Sequence, residues 1–149
     1  MDTLLVRELK TLDDTAALAA EVAKILTPGG VLLLTGDLGA GKTTFVQALA
    51  RTFGITRTVT SPTFTLANEY PIPSGGKLVH YDLYRLASAS GLYDLGFEDA
   101  LEMGARLAIE WPEKAQEVLD LEVPQRLRLN LTTNADNLRH AVLLKEQLR

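Results

Sequence analysis

The sequence contains no cysteine. That absence excludes disulfides, thiolate metal sites and cysteine nucleophiles together. A long apolar segment is missing too. The longest aliphatic run is Val31-Leu32-Leu33-Leu34, against the roughly 20 residues that a membrane-spanning helix needs. The stretch MDTLLVRELK mixes acids and bases from the start, so a signal peptide is not expected and the cytoplasm is the expected compartment. Nor is there a basic excess: 15 Lys and Arg stand against 19 Asp and Glu, and residues 61–120 hold four basic and ten acidic side chains. A nucleic-acid groove needs clustered cations to neutralise phosphate. Any RNA or DNA role is therefore expected to be indirect. The acidic stretch Asp94, Glu98, Asp99 and Glu102 reads as a solvated helix face or a surface for a basic partner.

What is present is ordinary globular material. Of 149 residues, 46% are hydrophobic and 23% charged. A chain this long buries about 68–70% of its unfolded surface, enough for its own core. Without repeats or low-complexity linkers, one domain over residues 1–149 is expected. Asp13 and Asp14 open a helix with Leu18, Val22, Ile25 and Leu26 at helical spacing, ended by Pro28-Gly29-Gly30. Val31 to Thr35 lacks alternation, as in a strand covered on both faces. A glycine-rich turn, Gly36 to Gly41, leads into a helix from Lys42 with Phe45, Leu49 and Phe53 on one stripe and Gly54 at its end.

Further strands are expected at Thr63 to Tyr70, Lys77 to Leu86, Leu107 to Trp111 and Arg126 to Leu131. In the second of these, Leu78, His80, Asp82 and Tyr84 share one face and Val79, Tyr81 and Leu83 the other. Pro71 to Gly76 is a loop. Short helices are expected at Phe97 to Met103 and Pro112 to Leu119. Leu138 to Leu148 suits a hairpin strand with a short helical end. This order implies an α/β three-layer fold around a mixed, mainly parallel sheet.

Gly36-Asp37-Leu38-Gly39-Ala40-Gly41-Lys42-Thr43 fits G-x-x-x-x-G-K-[ST] at every fixed position and lies between a strand and a helix, the context this phosphate-binding loop requires. Glycines let backbone N–H groups wrap a phosphate, and the helix N-terminus adds its positive end. Gly36 to Thr43, with Thr44, are the expected nucleotide contacts. Lys42 would bridge the outer phosphates and Thr43 would offer its hydroxyl to Mg²⁺. A second metal anchor is needed, and two acids qualify. Glu110 ends the apolar approach Leu107-Ala108-Ile109, at the strand end where open α/β sheets bind ligands. Asp82 sits among His80, Tyr84 and Arg85, a setting better suited to positioning water. Ser61-Pro62-Thr63-Phe64-Thr65 follows the loop's helix, as does the nucleotide-sensing segment of switch-type NTPases, with Ser61 and Thr63 as its hydroxyls.

GDLGAGKTTF, SPTFTL, HYDLYRL, LGFED and IEWPE, in this order, resemble the bacterial tRNA threonylcarbamoyladenosine biosynthesis ATPase family TsaE (YjeE). The resemblance covers residues 12 to 115, and the C-terminal third carries no sharp motif. It implies a small P-loop NTPase fold that binds and hydrolyses Mg-ATP. Such a protein supports a TsaB–TsaD pair, which transfers threonylcarbamoyl to adenosine in ANN-decoding tRNAs. Carried onto this chain, it implies phosphate binding by Lys42 and the loop amides, Mg²⁺ on Thr43 and Glu110, hydrolysis supported by Asp82, and adenine near Thr11 to Thr15. Tyr81 departs conservatively from the Phe or Met frequent at that place in the family. The alternative is a small P-loop phosphotransferase, but between Tyr84 and Glu110 the sequence offers only Arg85 and Arg106 for a basic lid. A GTP switch lacks its D-x-x-G and N-K-x-D elements.

Overall fold

The computed structural model describes every residue except 1, 38, 63, 64, 137 and 149. Leu38 and Thr63 thus lie outside the described residues. Among the described residues seven strands build one sheet in the order β1-β7-β6-β2-β5-β4-β3, flanked by six helical segments. The strands are β1 Asp2–Leu9, β2 Val31–Thr35, β3 Ala67–Pro71, β4 Lys77–Asp82, β5 Arg106–Glu110, β6 Gln125–Thr133 and β7 Arg139–Gln147. The helices are α1 Leu12–Ile25, α2 Lys42–Thr52, α3 Phe97–Glu102 and α4 Gln116–Glu122. Two 3-10 segments, Ala89–Leu95 and Pro112–Ala115, lead into α3 and α4. The central strands β6, β2, β5 and β4 run parallel, while β1, β7 and β3 pair antiparallel.

The sheet separates two cores. Leu32, Leu34 and Ala108 face Leu18, Val22, Phe45 and Leu49 of α1 and α2. Val31, Leu33, Leu107 and Ile109 face Leu92, Phe97, Ala115 and Leu119 on the other side. Residues 31–34 are therefore buried throughout, which explains why this strand shows no alternation. The two faces expected of β4 are confirmed, with Leu78 in the first core and Val79 and Tyr81 in the second.

Capping fixes where α1 starts. Thr11 Oγ1 accepts the Asp14 N–H at 3.2 Å, and Asp14 Oδ2 accepts those of Thr11 at 3.0 Å and Lys10 at 2.8 Å. This reciprocal box satisfies donors the helix cannot. Ile25, expected on the buried stripe, is 38% exposed because it ends the helix in an open groove beside Leu4.

Four boundaries differ from expectation. The strand expected from Thr63 begins at Ala67, because Leu66 takes a left-handed φ of 62° and its N–H returns to Pro62 O. The strand expected to reach Leu86 ends at Asp82, whose Oδ1 accepts the Tyr84 N–H at 3.1 Å and turns the chain. No helix follows β7 among the described residues: β7 stays paired with β6 to Gln147. β1, which showed no strand signal, pairs with β7 from Asp2 to Leu9. It is an edge strand exposed almost throughout, so burial imposes no alternation on it.

Candidate functional site

The glycine-rich loop leaves β2 at the carboxyl end of the parallel strands. Gly36 is required there, since a Cβ would stand 2.5 Å from Leu131 O. Gly41 is required as well, because it holds φ +96° as the cap of α2, a conformation that costs side-chain-bearing residues energy. The first turn of α2 contains no acidic residue, so the positive end of the helix is left to the cleft.

That cleft has a volume of about 390 Å³ and is lined by Gly39, Gly41, Lys42, Thr43, Thr44, Ser61, Asp82, Glu110, Trp111 and Arg139. Gly36, Asp37 and Ala40 face a second hollow on the other side of the loop, against Leu131 to Thr133. A larger hollow, about 640 Å³, lies at the far end of α2 by Gly54 and Ile55 and has no carboxylate in its lining.

The sheet register brings the acids together. Asp82 and Glu110 are paired residues of the parallel strands β4 and β5. Thr43 Oγ1 lies 3.3 Å from Glu110 Oε1 and 3.2 Å from Oε2. Ser61 Oγ donates to Asp82 Oδ2 at 3.0 Å. Lys42 is only 5% exposed; its ammonium donates to Gly36 O and lies 3.7 Å from the centre of the Trp111 ring. Burial pushes the Lys42 pKa down, and the charges of Glu110, Glu113, Asp82 and Asp37 push part of the way back. Trp111 leaves β5 with φ +57°, and Tyr84 packs on it at 4.9 Å between ring centres.

His80 is placed differently from the reading that grouped it with Asp82. It is fully buried, and its Nε2 lies 2.5 Å from Glu110 Oε2. That contact places one hydrogen between the ring nitrogen and the carboxyl oxygen, and Nδ1 has no partner among the described residues. The reason is alternation: His80 and Asp82 share a face, but His80 sits one pleat deeper, level with the buried part of β5.

Arg139 was not foreseen. It opens β7, whose sequence carries no motif, and reaches the loop only because the sheet order brings it there. Its Nη2 lies 3.5 Å from Gly39 O. Arg85, with Ser61, Pro62, Leu66, Asp82, Tyr84 and Trp111, lines a smaller hollow of about 220 Å³ beside the main cleft. Asp94, Glu98, Asp99 and Glu102 are all exposed. No helix among the described residues is long and apolar enough to cross a membrane.

Known proteins share this architecture and sequence. The family description "Threonylcarbamoyl adenosine biosynthesis protein TsaE" matches residues 9–141. The tRNA threonylcarbamoyladenosine biosynthesis protein TsaE of Rickettsia conorii is 40% identical over 88% of this chain and 73% of its own length. Its namesake in Bacillus subtilis is 42% identical over 74% of this chain and 68% of its own. The crystal structure of Bacillus subtilis YdiB superposes with a TM-score of 0.77 at 30% identity, covering 98% of this chain and 88% of that one. The loop, the paired strand-end acids, the mixed sheet and these matches agree: the chain belongs to the TsaE family of threonylcarbamoyl adenosine biosynthesis proteins.

Proposed function

We propose that this protein binds Mg-ATP in the cleft of about 390 Å³ and hydrolyses it in support of a TsaB–TsaD type complex, which transfers threonylcarbamoyl to adenosine in ANN-decoding tRNAs. The observation that carries the reading is the approach of the Thr43 hydroxyl to both oxygens of Glu110, at 3.2 and 3.3 Å. One hydroxyl and one carboxylate at a phosphate loop suit Mg²⁺, which keeps waters and takes the rest of its octahedron from phosphate. When bound, Mg²⁺ neutralises charge on the outer phosphates.

The chain's own residues do the rest. Lys42 exchanges Gly36 O for phosphate oxygens, a stronger acceptor because it is charged. The amides of Gly39 to Thr44 and the helix end hold the phosphate chain. Asp82, steadied by Ser61, orients the attacking water; Ser61 thereby links the 61–65 segment to the occupant of the cleft. Adenine goes toward Thr11 to Thr15, which follow Leu9, the residue paired with Arg139 in the sheet. tRNA is engaged through the partner complex, since the cleft carries as many acids as cations.

The test is ATP turnover, measured alone, with the TsaB–TsaD pair, and with the pair plus tRNA. Turnover is expected to be slow alone and to rise with partners. Lys42→Ala should lower it by on the order of 100-fold, as for other lost transition-state donors. Normal turnover in Lys42→Ala would refute the nucleotide assignment.

A further inference from the structure

Arg139 stands apart from the other buried or half-buried arginines. Arg126 and Arg128 are held by Glu146, and Arg106 donates to Leu26 O at 2.7 Å. Arg139 has no carboxylate within 4.0 Å among the described residues. Its one side-chain hydrogen bond among the described residues, to Gly39 O, is at the 3.5 Å limit. Its Nη1 lies 3.3 Å from the place a Cβ on Gly41 would occupy. A guanidinium carries five donors, so most of them have no protein partner among the described residues. It rests against the N-terminal end of α2, whose first turn holds Lys42 and no acid. Asp82 and Glu110 line the β4–β5 side of the cleft, whereas on the β7 side a cation and a positive helix end adjoin with no carboxylate beside Arg139 among the described residues, a setting that favours an anion. The cleft that both line is the space where such an anion fits.

The sheet order decides which part of the anion Arg139 meets. The loop follows β2, with Glu110 on the neighbouring β5, whereas Arg139 is on β7, two strands away on the opposite side. Resting on the Mg-ATP reading, the metal and the terminal phosphate belong to the Thr43–Glu110 side, and the phosphates nearer the nucleoside point toward β7. We propose that Arg139 is a nucleotide-binding residue that clamps the inner phosphates from across the loop. It grips the diphosphate and the triphosphate alike, and so contributes to affinity rather than to sensing the terminal phosphate. Gly41 leaves the room this clamp needs.

The experiment is calorimetric titration of Mg-ADP and of a non-hydrolysable Mg-ATP analogue at two salt concentrations. The proteins are the wild type, Arg139→Ala, Arg139→Lys and Lys42→Ala, each checked by thermal melting. Arg139→Ala should weaken both nucleotides by about tenfold, the size of one charge-assisted contact, and flatten the salt dependence. Arg139→Lys, which keeps the charge and loses the fork, should recover part of the loss; it also serves if the alanine variant does not fold. Affinity within twofold of wild type for both nucleotides in both Arg139 variants, with Lys42→Ala impaired, overturns the clamp and leaves the Mg-ATP reading standing. Loss of the triphosphate analogue alone also overturns it, because Arg139 would then read the terminal phosphate. Unimpaired binding by Lys42→Ala, or none by wild type, refutes the Mg-ATP reading itself.

Discussion

Glu110 and Glu146 are both nearly closed to solvent, 3% and 7% exposed, yet their surroundings are opposite. Glu146 is saturated. Arg126 Nε donates to Oε1 at 2.9 Å and Arg128 Nε to Oε2 at 2.8 Å, while Arg126 also meets Asp120. Glu110 has no arginine or lysine within 4.0 Å among the described residues. Its neighbours are a histidine and a threonine hydroxyl. A buried charge normally requires a full set of opposite charges and donors. Where that set is complete, the group is structural. Where it is incomplete and the group faces a cleft, the group is a candidate for holding a ligand. Burial alone does not separate the two glutamates; what is left unpaired does.

The comparison is broken most directly at Glu110. Glu110→Gln keeps shape and hydrogen bonding and removes the charge. Turnover at limiting Mg²⁺ should fall on the order of 100-fold or more and be partly regained at high Mg²⁺. The melting temperature should hold or rise, because a buried and incompletely paired charge has been removed. Turnover assays across a Mg²⁺ series, beside thermal melts, read both halves. Unchanged Mg²⁺ dependence together with a lower melting temperature would make Glu110 another Glu146.

Glu146→Gln should do the reverse. It leaves two guanidinium groups short of a charge and should cost about 3 kcal/mol of folding stability, with turnover per folded molecule unchanged. Burial pushes the Glu146 carboxyl up, but hydrogen bonds and charge from Arg128 and Arg126 outweigh it and hold the pKa below 4.5. A depressed carboxyl contributes stability that is fully present above its unfolded value and lost as pH falls through the folded value. The gap between wild type and variant should therefore be flat at neutral pH and narrow only below about pH 4.5, the ordinary value for this group. Chemical denaturation at several pH values checks this. A gap that closes between pH 6 and 8 would contradict it.

How much of this could be read beforehand differs between the two sides of the loop. On the β5 side, chemistry left local signatures. The loop spells itself out in consecutive residues, and Glu110 ends an apolar strand where such acids bind ligands. The pairing of Asp82 with Glu110 was less legible, because it needs β4 to end at Asp82 and not at Leu86. On the β7 side, nothing local marks Arg139. Its role depends on the sheet order, a fact of long-range packing that periodicity does not encode. β1 was illegible for a related reason: a two-sided exposed edge writes no pattern. Alternation groups His80 with Asp82 on its own strand, because it gives the face of a side chain and not its depth or its cross-strand partner.

His80 offers the finest test, since its effect on the cleft runs through Glu110. The hydrogen bond between Nε2 and Glu110 Oε2 at 2.5 Å fixes one rotamer of a carboxylate whose other side-chain partner among the described residues is Thr43. Partners of this kind orient a ligating group, and their loss typically weakens metal binding 10–100-fold. His80→Gln can keep one donor and so belongs at the lower end, about tenfold in the Mg²⁺ concentration needed for half-maximal turnover. His80→Ala opens a cavity and should add a stability loss that the glutamine variant largely avoids. A merely structural histidine would lower melting temperature and active fraction without moving the Mg²⁺ midpoint, so the midpoint is the reading that decides. Metal-free nucleotide affinity should not change in either variant, because His80 is fully buried beneath Glu110 and does not itself line the cleft, meeting it only through that carboxylate. A midpoint that stays within twofold of wild type in His80→Gln would make the histidine a piece of core. Glu110 would then be oriented by Thr43 and the strand alone.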